Sequence, residues 1–123
     1  MAEPARVALF IPNLFVRVPV ESAVRAARLE PHAVASAAQA SNAACRVAIL
    51  DLEAAGESAP AVIDSLVRAG VVVLAFGPHV RAGELAAARQ AGAVALPRSA
   101  FLARLPELLA TALDAARIRS DRR

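Results

Sequence analysis

The sequence predicts a single α/β domain, a three-layer sandwich in which a five-stranded parallel sheet carries helices on both faces. Three observations lead to this expectation. Short apolar runs closed by an acid, a glycine or a proline recur about five times and alternate with stretches of helical periodicity. Two of the runs, residues 46–52 and 71–76, are continuous and rich in Val, Ile and Leu, as strands buried on both faces require. No internal repeat or low-complexity linker divides the 123 residues, so one core is expected over residues 5–117, followed by a frayed tail over 118–123.

The elements follow in order. Residues 6–11 form the first strand, closed by Pro12 and Asn13, and residues 14–18 continue the connection across the top of the sheet. Pro19 suits the first position of a helix that ends near Leu29, with Glu21 in its first turn and Val20, Ala23, Val24 and Ala27 at helical spacing. Residues 32–37 form a second strand, and residues 39–44 have room for only a short helix. Residues 46–52 are the central strand, ending on Asp51. After a loop over 56–59, Pro60 opens a helix whose apolar face is Val62, Ile63, Leu66 and Val67 and whose stop is Gly70. The strand at 71–76 is closed by Gly77 and Pro78. A helix over 82–90 closes on Gly92, and a short strand over 93–96 ends at Pro97, Arg98 and Ser99. A turn over 100–104 precedes a last helix that starts afresh around Pro106 and aligns Leu105, Leu108, Leu109, Ala112, Leu113 and Ala116. Parallel strands with right-handed crossovers give the flavodoxin-like strand order 2-1-3-4-5.

Composition narrows the chemistry. All 14 basic residues are arginine, so lysine Schiff bases and phosphate-loop lysines are excluded, and the net charge of +3 is too small to imply a nucleic-acid partner. Cys45 is the one cysteine, which excludes an intramolecular disulfide and a CxxC metal site; it reads as a small buried hydrophobe. No apolar run approaches the ~18 residues of a membrane span, and no signal peptide is visible, so a cytoplasmic protein without membrane contact is expected. Asp51 is the first residue to question, because open parallel sheets place their ligands beyond the carboxyl ends of the strands.

The order of elements resembles the receiver domain of bacterial response regulators, the CheY-like form of the flavodoxin-like fold. Residues 47–52 are similar to that family's third strand, with Asp51 at the phosphoacceptor position. Gly92-Ala93-Val94-Ala95-Leu96-Pro97-Arg98-Ser99 resembles the family's Gly-Ala-x-x-x-Leu-x-Lys-Pro segment, with Arg98 at or beside the lysine position. The departures matter more. The family's acidic pair after the first strand corresponds here to Pro12 and Asn13, which leaves too little charge for magnesium. Its switch hydroxyl corresponds to Ala75 or Phe76, and Arg98 replaces a point charge with a planar fork. The resemblance therefore implies a degenerate pseudo-receiver, in which Asp51 pairs with Arg98 or caps the loop over 54–56. It also implies an interaction face formed by the fourth helix, fifth strand and fifth helix, here Arg81, Arg89, Phe101, Leu102, Arg104 and Leu105, serving a protein partner or a homodimer.

Other sites fare worse. His79 lies on the strand-end face, but no G-x-S-x-G elbow accompanies it, and Ser36 and Ser99 are candidate hydroxyls in the sense that any serine is. Asn13-Leu14-Phe15 stands where a G-x-G-x-x-G loop would be, and the Asp-x-His-x-x-Gly signature of cobalamin binders is absent. Leu14, Phe15 and His79, with Phe76, can line or plug a small-ligand pocket. The leading expectation is a non-enzymatic signalling and protein-interaction module without phosphotransfer, metal or cofactor. The alternatives are a stand-alone response regulator phosphorylated on Asp51 with magnesium, and a small-molecule-binding or enzymatic flavodoxin-like domain.

Overall fold

A computed structural model describes residues 5–78 and 80–121. The strands are β1 (Arg6–Phe10), β2 (Glu30–Ala33), β3 (Val47–Asp51), β4 (Val72–Gly77) and β5 (Val94–Pro97). The helices are α1 (Leu14–Ala26), the one-turn α2 (Leu52–Ala55), α3 (Ala59–Arg68), α4 (Ala82–Gln90) and α5 (Arg98–Asp121), with a 3-10 helix over Ala37–Asn42 between β2 and β3. The sheet is parallel throughout, in the expected order β2-β1-β3-β4-β5.

Strand alternation divides the core into two layers. Val7, Leu9, Val47, Ile49, Val72, Leu74 and Phe76 face α1 and α5, where they meet Val20, Val24, Phe101, Leu105 and Leu109. Ala8, Ala48, Leu50, Val73 and Ala75 face the opposite layer, where Ile63 and Leu66 of α3 and Leu85 and Ala88 of α4 cover them. Alanines fill much of this second layer, so its helices lie close to the sheet and each contact buries less area. Gly92 closes α4 with φ +113, and a Cβ there would meet Val67 Cγ2 at 3.1 Å, so this turn requires glycine twice over.

Pro60 opens α3 as expected, but the other two prolines expected to start helices, Pro19 and Pro106, lie inside them. Asn13 caps α1 by accepting a 2.9 Å hydrogen bond from the Phe15 amide, so the helix begins at Leu14 and Pro19 falls in its second turn. Pro19 is exposed, and the Phe15 carbonyl that loses its helical partner belongs to a residue that is 92% exposed, where water replaces the bond. The helix ends before Leu29. Arg28 takes φ 63, and the Leu29 and Arg28 amides return to the Val24 and Arg25 carbonyls at 3.1 and 2.9 Å, a Schellman closure without glycine. Likewise α5 is one helix from Arg98, with no turn over 100–104: Phe101, Leu105, Leu108, Leu109, Ala112 and Ala116 form a single buried stripe across the exposed Pro106. Burying that stripe outweighs one missing hydrogen bond. The helix continues to Asp121, so residues 118–121 of the expected tail are helical, while 122 and 123 lie outside the described residues. The second strand starts at Glu30, two residues before the expected start, because the Glu30 amide donates to the Ala5 carbonyl and Arg6 sets the register opposite Glu30.

Candidate functional site at the strand ends

Asp51 is the last residue of the central strand and lies in register with Phe76 of β4. Its Oδ1 accepts from the Glu53 amide at 3.1 Å and the Ala54 amide at 3.4 Å, which starts α2 directly after the strand. This is the capping role expected for Asp51, moved one turn earlier than the loop over 54–56. Partial burial raises the Asp51 pKa above the ordinary carboxylate value; the two amides and the positive charge of Arg98 oppose that rise, and Glu53 adds to it.

The expected Asp51–Arg98 pair does not form. No ion pair within 4.0 Å joins them; Arg98 opens α5 as an exposed residue, and both side chains line an open cleft. That cleft has a volume of about 360 Å³ and is also lined by Glu53, Phe76, Gly77, Pro78, Val80 and Ser99. Of these, Glu53 and Val80 were not singled out in the sequence, and Gly77 and Pro78 were read only as the close of the strand.

The β1 end is closed to ligands in a different way. The side-chain oxygen of Asn13 is committed to the α1 cap, and Pro12 has no side-chain donor or acceptor. Arg17, which the sequence did not single out, reaches back from α1, with Nη1 at 3.5 Å from the Ile11 carbonyl and a buried Nε that has no hydrogen-bond partner. Among the described residues no three His, Cys, Asp or Glu side chains gather at one point. A magnesium ion, which a receiver fold implies, would meet two carboxylates here, Asp51 with one oxygen engaged in the cap and Glu53, with Pro12 and Asn13 in place of acids and no third acidic ligand among the described residues, so the residues present do not fit it.

The remaining candidates are dispersed. Ala75 is fully buried in the α3 layer, and Phe76 is 1% exposed with its ring 5.2 Å from that of Phe101, so no hydroxyl stands at this strand end. Leu14 and Phe15 are exposed on the first turn of α1 and do not line the cleft, because the Asn13 cap turns them outward. His79 lies outside the described residues. On the α4–β5–α5 face, Phe101 and Leu105 are core residues at 0% and 2% exposure, and Leu102 is half-buried against the same layer. Phe101 and Leu105 belong to the buried stripe, which removes those two from any docking surface. Arg89 donates from Nε to the Ala95 carbonyl at 2.9 Å and so covers the open edge of β5. Arg81 and Arg104 pair with Glu84 at 3.0 Å and Glu107 at 3.7 Å on the exposed surface. Burial raises the Cys45 thiol pKa, in keeping with an inert small hydrophobe.

A five-stranded parallel sheet in the order 2-1-3-4-5 with helices on both faces is the CheY-like form of the flavodoxin-like fold, the fold of receiver domains. Solved structures agree. The chain superimposes on the signal receiver domain of a candidate Luxo repressor protein from Vibrio parahaemolyticus with a TM-score of 0.77 and 19% identity, covering 95% of each chain. It is similar to a response regulator receiver domain protein from Clostridium thermocellum (TM-score 0.76, 12% identity, 93% of this chain and 98% of the other). It is also similar to NtrX from Brucella abortus in complex with ADP (TM-score 0.78, 18% identity, 96% of this chain and 28% of NtrX). No family model matches the sequence, and comparison with curated proteins finds no match. Among the described residues, no helix is long and apolar enough to cross a membrane.

Proposed function

We propose that the chain is a receiver-fold signalling module that acts in the cytoplasm through protein contacts, without phosphotransfer and without a metal or cofactor. The observation that carries this reading is the use made of the two strand-end oxygens: Asn13 and Asp51 each hold a helix cap where a phosphorylatable receiver needs a cluster of carboxylates around magnesium. Ala75 and Phe76, the latter packed on Phe101, add to it by placing no hydroxyl at the end of β4, where the switch residue of a receiver stands. The test is intact mass after incubation with acetyl phosphate and magnesium, together with amide shifts on adding beryllofluoride. An unmodified mass and unchanged β3 amides support the reading, and a stable adduct on Asp51 overturns it. A phosphorylatable receiver is the second reading, favoured by the position of Asp51 on an open cleft that Arg98 also lines.

The partner surface we assign is the outer side of α4 and α5, where Arg81–Glu84 and Arg104–Glu107 place alternating charges on exposed helix. A second copy of the chain can exchange these pairs across a homodimer. Light scattering on the wild type and on an Arg81→Glu, Arg104→Glu variant checks this: a dimer that falls to monomer supports it, and a mass unchanged by the substitutions removes the face. Arg89 is left intact because its bond to Ala95 belongs to the fold.

A further inference from the structure

We infer that the cleft over the ends of β3, β4 and β5 binds a free α-amino acid with an apolar side chain, its ammonium group on Asp51 and Glu53 and its carboxylate on Arg98. The charges in the cleft are separated, not paired. Asp51, Glu53 and Arg98 line the same cleft, yet Arg98 makes no hydrogen bond or ion pair to any described residue. Opposite charges lining one cleft attract, and a side chain as long as arginine can ordinarily close on a nearby acid.

The signs select the ligand. A divalent cation meets only Asp51 and Glu53, with Arg98 repelling it, and no third acidic, cysteine or histidine ligand gathers there among the described residues. A lone anion on Arg98 faces two carboxylates in the same cleft. A molecule with both signs satisfies both kinds of charge. Its ammonium has three N–H donors for the unengaged Asp51 oxygen and for Glu53, and its carboxylate matches the arginine fork. Ser99, in the first turn of α5, lines the carboxylate end, where the helix leaves amides without intrahelical partners. Phe76, Gly77, Pro78 and Val80 complete the lining and give it an apolar portion. A volume of about 360 Å³ is at the small end of ligand sites and suits a molecule of this size.

The proposal is separate from the phosphotransfer reading: an Asp51 that accepts no phosphoryl group can still bind an ammonium, and a chain that binds no amino acid leaves the acetyl phosphate result unchanged. Amide-resolved NMR titration of the full chain with L-alanine, L-leucine and L-phenylalanine tests it, with N-acetyl-L-leucine and L-leucine amide as single-charge controls. Saturable shifts at Glu53, Gly77 and Ser99 are expected with at least one free amino acid. Blocking either end of leucine, or introducing Arg98→Gln or Asp51→Asn, is expected to weaken binding about tenfold or more. Asparagine keeps the α2 cap, so Asp51→Asn reads the charge alone. The proposal is overturned if none of the three amino acids gives saturable shifts, or if the blocked analogues bind as well as the free ones.

Discussion

Two strand ends of this molecule use the same device for different ends. At the close of β1, Asn13 accepts from the Phe15 amide; at the close of β3, Asp51 accepts from the Glu53 and Ala54 amides. Asparagine and aspartate cap helices about equally well. The neutral cap accounts fully for Asn13, whereas at Asp51 the charge exceeds what capping needs. Burial opposes that charge, and a cleft with an unpaired arginine lies beside it. The cap accounts for the β1 end, whereas the β3 end keeps a charge beside a cleft that the cap does not use.

The largest expected effect concerns the wall that adjoins the charged end. Phe101→Ala removes a fully buried ring stacked beside Phe76 and should cost about 3 to 5 kcal/mol, read by chemical denaturation. A cost below about 1 kcal/mol, no more than a surface substitution, would show that Phe76 does not depend on α5 for its position.

Next come the caps themselves. Asn13→Ala and Asp51→Ala should each lose about 1 kcal/mol, because each orphans the amide hydrogen bonds that start a helix. Asp51→Asn should separate the two ends. A carboxylate whose folded pKa is raised weakens the fold when ionised. This penalty is full above the folded pKa and fades as pH falls toward the unfolded value of about 3.9. The Asp51→Asn variant should therefore match or exceed wild-type stability at neutral pH, with the difference closing in acid. Thermal melts across that pH range check it, and a variant weaker than wild type at neutral pH would mean that the charge itself stabilises the fold. The smallest effect belongs to the exposed Arg68–Asp64 pair at 3.0 Å, where Asp64→Ala should change stability by no more than about 0.5 kcal/mol, less at high salt.

Much of the fold was legible because strand and helix periodicities differ and the breakers between β3 and β5 are unambiguous. Gly70 and Gly92, both at positive φ, stop their helices where the sequence places the stops, and α4 has the expected bounds. The two misplaced helix starts share one cause: proline was weighed as a local breaker at Pro19 and Pro106, where burial of Val20, Val24 and the α5 stripe decides the helix. The one-turn α2 was missed because four residues carry no periodicity, and its only signal was an aspartate at the N-cap. At the site, residue identities were readable but side-chain reach was not. The sequence placed Asp51 and Arg98 at the ends of the third and fifth strands, with β4 between them; whether they touch depends on the width of the cleft between β3 and α5. Phe101 and Leu105 were assigned to a docking face because helical spacing alone does not say which side of α5 meets the sheet.

The contrast between the two strand ends predicts that Asp51 carries its charge without accepting a phosphoryl group. Intact mass spectrometry of the chain after exposure to acetyl phosphate and magnesium measures this most directly. The account predicts an unmodified mass; a stable phosphoryl adduct mapped to Asp51 and lost in Asp51→Asn would contradict it.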